Sequence, residues 1–155
     1  MPLTLTSEAF AEGAPIPSAC TCDGKNASPA LAWTEPPPGT RSFALIADDP
    51  DAPGNTWVHW VVYNIPIAAR ELPDGLQKTA ERPDGTRQGL NDFGKVGYGG
   101  PCPPSGTHRY YFKLYALDTE LNFTTTVTKA KLEQAMRGHI LGQAQLMGTY
   151  QRQAQ

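Results

Sequence analysis

Apolar and polar positions alternate most cleanly from Arg109 to Leu117. Tyr110, Phe112, Leu114 and Ala116 fall on one side, and Arg109, Tyr111, Lys113 and Tyr115 on the other. A period of two marks a strand with one buried face. Two other stretches read as strands from composition. Ser42–Ala47 is an apolar run bounded by the turn Pro36-Pro37-Pro38-Gly39 and by a Pro-rich turn over 50–54. Trp57–Asn64 is rich in β-branched and aromatic residues and stops at Pro66. Weaker strands are expected at the N-terminus and around 86–90. From Thr128 to Met147 the apolar positions Leu132, Ala135, Met136, Ile140, Ala144 and Met147 recur at spacings of three and four, which predicts a helix with Thr128 as its N-cap. Gly138 and Gly142 inside it each cost about 1 kcal/mol against alanine, so they predict close packing or a break. Strands first and a helix last predict a mainly β fold. The expected form is an antiparallel sheet or a sandwich of antiparallel sheets with a C-terminal helix and Pro/Gly-rich loops, folded as one domain over 1–155.

Composition narrows the function classes. The chain has 155 residues, 39% hydrophobic and 18% charged, so it can bury a core and is not a disordered or coiled-coil sequence. Thirteen Lys and Arg against 15 Asp and Glu leave a net charge of −2, and no basic block offsets it, so nucleic acid is not an expected partner. No apolar segment is long enough for a transmembrane helix. The N-terminal residues lack a basic region followed by an apolar one, so export is not expected and the cytoplasm is the default compartment. Three cysteines are too few for a disulfide framework. Cys20 and Cys22 are read as small, semi-buried thiols, without a second pair to complete a metal site. No glycine-rich nucleotide motif follows a strand.

Unusual local sequence gathers in three places: Asp48-Asp49-Pro50-Asp51-Ala52-Pro53, Trp57-Val58-His59-Trp60, and the run from Gly99 to Tyr110. His59 is expected on the strand face of Trp57 and Val61. His108 and Tyr110 share one side of their strand, and Arg109 takes the other. The loop before them contains Pro101, Pro103 and Pro104, which lack N–H groups, so it reads as a stiff wall and not as a phosphate cradle. Two imidazoles, a phenol and the Asp49 carboxylate could converge on a small anion, with Asp49 orienting an imidazole.

These segments resemble the phosphatidylethanolamine-binding protein family, also called the Raf kinase inhibitor protein family. DPDAP, Trp-x-His-Trp and GGPCPPSGTHRYYFKLYALD carry the likeness, together with Cys22-Asp23-Gly24-Lys25-Asn26 and Ser28-Pro29-Ala30-Leu31-Ala32-Trp33. The chain is most similar to the short prokaryotic-type branch, over about residues 5 to 150. The resemblance implies a two-sheet β-sandwich with a small pocket for phosphate-like anions or phosphorylated ligands. Asp49, His59, His108 and Tyr110 would line it, Trp57, Pro103 and Pro104 would complete its walls, and Cys102 would narrow its mouth. Asp51 and Arg109 would form a supporting salt bridge. A non-catalytic binding protein needing no cofactor or metal is the expected function, with a kinase or protease as the protein partner and a homodimer as an open assembly. The competing readings are enzymatic. One is metal-dependent chemistry on Asp49, His59 and His108; the other is hydrolysis with Ser105 or Cys102 as nucleophile and His108 as base. A free Cys102 thiol beside His108 would be the most reactive of the three cysteines.

Overall fold

The computed structural model describes residues 2–152. Its elements are β1 (Leu5–Thr6), a 3-10 turn (Ser18–Cys20), β2 (Leu31–Trp33), β3 (Ser42–Asp49), β4 (Trp57–Pro66), β5 (Glu71–Leu72), β6 (Arg87–Gln88), β7 (His108–Leu117), α1 (Lys129–Met136) and β8 (Ile140–Tyr150). They form two antiparallel sheets, β1-β2-β5 and β6-β4-β3-β7-β8. The small sheet packs on one face of the large one. Leu5, Leu31, Trp33 and Leu72 from the small sheet meet Phe43, Leu45, Trp60, Phe112 and Leu114. Trp33 and Phe43 stack at 5.4 Å between ring centroids.

The other face of the large sheet is also covered. Ala44, Ile46, Val58, Val61 and Leu117 pack there with Leu132 and Met136 of α1. That double cover explains why β3 reads as an unbroken apolar run: all eight of its residues are buried. It also makes Asp48 and Asp49 buried neighbours pointing to opposite faces.

The C-terminal helix requires correction. Only Lys129–Met136 is helical, with the Thr128 side chain accepting from the Lys131 N–H at 3.3 Å as its N-cap. Gly138, at φ +81°, turns the chain out of the helix. The rest becomes β8, paired with β7 from Ile140↔Leu117 to Tyr150↔His108. A period of two emerges towards the end of this strand: Leu146, Gly148 and Tyr150 are buried and alternate with less buried residues. Gly148 faces the core where a Cβ would lie 2.6 Å from both Ile16 and Phe10, so only glycine lets that layer approach.

Candidate functional site

Three strand ends build the floor of a pocket. β3 is central in the large sheet, so its last residue, Asp49, lies between the start of β4 and the start of β7. β4 contributes His59 and β7 contributes His108 and Tyr110. Together with Trp57, Phe93, Ala52, Pro53, Cys102, Pro103 and Pro104 they enclose a cavity of about 300 Å³. All the residues expected to line a pocket therefore meet, although they come from segments up to 61 positions apart, from Asp49 to Tyr110.

The placement of His59 depends on a bulge. Asp48 pairs with Val58 but Ala47 pairs with Trp60, so β4 carries one extra residue at His59. His59 and Trp60 consequently both face the main core side, while Val58 and Val61 face α1. The expected face of Trp57, His59 and Val61 is corrected to this extent: Trp57 and His59 share the pocket, and Val61 does not.

The hydrogen bonds define the polarity of the floor. His108 Nδ1 lies 2.6 Å from Asp49 Oδ2. The other Asp49 oxygen accepts from the Asp51 N–H at 2.7 Å, which closes the DPDAP turn. His59 Nδ1 lies 2.6 Å from the carbonyl oxygen of Gly99, and the Gly99 N–H donates back to the His59 carbonyl at 2.9 Å. A side chain at Gly99 would run into the ring of Phe93, 2.5 Å from its Cβ. The His59 ring is 4% exposed and edge-on to both Phe93 and Tyr110. Burial pushes its pKa below the ordinary value; the Gly99 carbonyl and the charges of Asp49, Asp48 and Asp92 only partly oppose this. Burial therefore favours the neutral form of His59.

Tyr110 is 2% exposed, and its hydroxyl has no hydrogen-bond partner. Burial, followed by the nearby charges of Asp49 and Asp51, pushes the phenol pKa well up, so the group stays protonated. A buried polar group without a partner calls for an explanation, and this one belongs to a residue that lines the cavity.

Outside the pocket, Arg109 Nε and Nη2 reach Asp51 Oδ2 and Oδ1 at 2.9 and 2.8 Å, and the Arg109 backbone N–H adds a third bond at 2.9 Å. The Arg109 side chain is 51% exposed, so this pair clamps the DPDAP turn from the solvent side. Asp48, on the opposite face from Asp49, binds Lys129 at 2.7 Å and Lys113 at 3.3 Å.

The cysteines require the largest correction. Cys22 and Cys102 form a disulfide, and Cys20 alone is free and buried. Cys102 therefore has no reactive thiol at the pocket mouth and is excluded as a nucleophile in this state. The bridge ties the Pro-rich wall to the N-terminal loop. It is reinforced by the Cys22 N–H donating to the Pro101 carbonyl, Gly100 N–H to Asn26 Oδ1, and Tyr98 hydroxyl to the Cys20 carbonyl. Ser105 is exposed and does not line the cavity. Among the described residues, no three His, Cys, Asp or Glu side chains are grouped to hold a metal ion. Asp49 is instead engaged by His108 and the Asp51 N–H.

Sequence reasoning missed Phe93, Ala52 and Pro53 in the lining. Ala52 and Pro53 belong to the DPDAP motif and could have been included on that ground. Phe93 had only a weak signal, an aromatic residue in the turn-forming run Asn91-Asp92-Phe93-Gly94. Asn91 Oδ1 accepts from the N–H groups of Phe93 and Lys95, and Asp92 Oδ2 accepts from the Val58 N–H at 2.7 Å, which docks the turn beside β4. Trp57 and Phe93 then meet edge-on at 5.5 Å on the rim.

Fold and site together define a two-sheet β-sandwich protein with a polar-floored, aromatic-rimmed pocket at one end of the larger sheet. The chain belongs to the phosphatidylethanolamine-binding protein family, whose model matches residues 6–151. It is 49% identical to the UPF0098 protein of Methanothermobacter thermautotrophicus over 150 residues, covering 97% of this chain and 99% of that one. Among solved structures, a phosphatidylethanolamine-binding protein homologue from Chlamydia trachomatis superposes with a TM-score of 0.90 at 43% identity, covering 98% and 99% of the two chains. YbcL of Escherichia coli gives 0.87 at 34% identity, covering 99% and 100%.

Proposed function

We propose that this chain is a non-catalytic binding protein whose pocket takes phosphate-like anions or small phosphorylated ligands. The carrying observation is the buried Tyr110 hydroxyl without a partner. It stands beside two imidazoles whose Nδ1 atoms are already engaged, leaving each Nε2 for a ligand. A small oxyanion supplies several oxygens within one cavity of about 300 Å³, and the His108–Asp49 pair supplies a charge-assisted donor when His108 is protonated. The exposed aromatic rim of Trp57 and Phe93 gives a protein partner, a kinase or a protease, a surface that touches the pocket.

Isothermal titration with inorganic phosphate tests this reading. The wild-type protein binds, and the double variant Asp49→Asn/His108→Gln, which removes both charges together, does not bind yet melts cooperatively. Absence of phosphate binding by the wild type, or undiminished affinity in a folded double variant, overturns it.

No helix among the described residues is long and apolar enough to cross a membrane. The Cys22–Cys102 bridge weighs on the cytoplasmic expectation, because disulfides persist in oxidising compartments and are rare in a reducing cytosol. Alkylation of protein drawn from intact cells decides it: three free thiols mean a reducing compartment and one an oxidising compartment.

A further inference from the structure

We propose that His59 makes the pocket selective for an oxyanion that still carries a proton, so that it accepts phosphate and phosphomonoesters and rejects sulfate. The inference rests on the anion-pocket reading above and adds to it which anions enter.

The tautomer of His59 follows from geometry. A carbonyl oxygen can only accept, so at 2.6 Å from Gly99 the proton must sit on His59 Nδ1. In the neutral ring Nε2 is then a bare lone pair, the one ring nitrogen left for a ligand. Neutrality is favoured by the surroundings: the ring is nearly fully buried and has Phe93 and Tyr110 edge-on to it. Charging it there would cost hydration that neither aromatic neighbour replaces. The charged groups that influence His59 are Asp49 and Asp48 on β3 and Asp92 on the docked turn. All three favour a cation, and burial still outweighs them.

The hydroxyl of the neighbouring Tyr110 does not fill that lone pair. Tyr110 lies edge-on at 5.2 Å between ring centroids, and its hydroxyl bonds to no protein atom. The pocket therefore offers a fixed acceptor at His59, a hydroxyl at Tyr110, and at His108 a nitrogen that donates when that ring is protonated against Asp49. Arg109, the nearest permanent cation in sequence, is spent on Asp51 outside the cavity.

A monohydrogen oxyanion matches this set. Its P–OH donates to His59 Nε2, while its unprotonated oxygens accept from Tyr110 and from His108 Nε2 where that nitrogen carries a proton. Sulfate carries no proton near neutral pH and places an oxygen lone pair against the His59 lone pair. It can enter only if His59 itself takes up a proton, which burial opposes. A site built to pair a ligand hydrogen rejects an analogue lacking it because a buried polar group is left unpaired.

The test is isothermal titration of the intact protein with inorganic phosphate, methyl phosphate and sulfate at matched ionic strength. Phosphate should bind at least about tenfold more tightly than sulfate, about 1.4 kcal/mol. Methyl phosphate should bind more tightly as pH falls through about 6, where its monoanion becomes dominant. In His59→Gln the amide can rotate an N–H towards the ligand, so the phosphate-to-sulfate ratio should collapse towards one. Equal affinities for phosphate and sulfate in the wild type overturn the selectivity while leaving the anion pocket standing. An unchanged ratio in folded His59→Gln overturns the role of His59. Binding of neither anion removes the pocket reading and this inference together. If His59→Gln fails to fold, the wild-type phosphate-to-sulfate ratio and the pH trend still decide.

Discussion

Removing the Tyr110 hydroxyl should move stability and binding in opposite directions. In Tyr110→Phe the ring keeps its place in a site that is 2% exposed, and only an unpaired oxygen is lost. A buried donor without a partner costs roughly 1–3 kcal/mol, so the ligand-free variant should be more stable by up to that amount. For a chain of 155 residues each kcal/mol is worth about 2–4 °C in Tm. The bound state behaves in the opposite way. A hydrogen bond to a charged group contributes about 1.5–3 kcal/mol, so phosphate affinity should fall roughly tenfold to a hundredfold. Burial holds the phenol protonated, so the loss should not depend on pH over the range in which the protein is folded. Calorimetric melting without ligand and phosphate titration on the same preparation measure both signs. A variant that is less stable and binds phosphate as well as wild type would refute the reasoning, because the hydroxyl would then be serving the fold and not a ligand.

Two other perturbations test the scaffold. The Cys22–Cys102 bridge spans 80 positions, and closing a loop of that length removes unfolded-state entropy worth about 4.5 kcal/mol. Urea unfolding of the reduced protein should therefore show a much lower midpoint, with a steeper slope from the more expanded unfolded chain; a midpoint indifferent to reductant would contradict this. Arg109→Ala should lower thermal stability modestly at neutral pH, because the pair is solvent-exposed and the backbone N–H of residue 109 still holds Asp51, and that difference should close in acid. Its signature lies in acid. The Arg109 guanidinium hydrogen-bonded to Asp51 lowers that carboxyl from its ordinary 3.8 to about 2. The stabilisation is present above the unfolded value and is lost as pH falls through the folded one. Stability measured from pH ~4 down to ~2 should therefore fall less in the alanine variant than in wild type. Parallel acid limbs would show that the pair does not couple to folding.

Some features of this chain follow from what adjacent residues enforce on one another. The alternation over 109–117 put Tyr110 and His108 on one side and Arg109 on the other, since successive side chains in a strand must point to opposite faces. The stiffness of the wall through Pro101, Pro103 and Pro104 follows from proline chemistry, and the N-cap at Thr128 from its hydroxyl. The motifs that carried the family resemblance also named most of the cavity lining. Other features depend on partners distant in sequence. Gly142 looks like a flaw in a helix until β8 lies on β7, where a Cβ would strike Pro37, and at Gly148 a Cβ would strike Ile16 and Phe10. The bulge that turns both His59 and Trp60 inward exists only in the pairing of β4 with β3. The bridge from Cys22 to Cys102 needs two loops 80 positions apart to meet, and no local spacing announces it. The proton on His59 Nδ1 is set by the Gly99 carbonyl, 40 positions along the chain. Residue types limited the chemistry available to the pocket, but the partner of each ring was decided by tertiary packing, which brought the Gly99 carbonyl to His59 and the Asp49 carboxylate to His108.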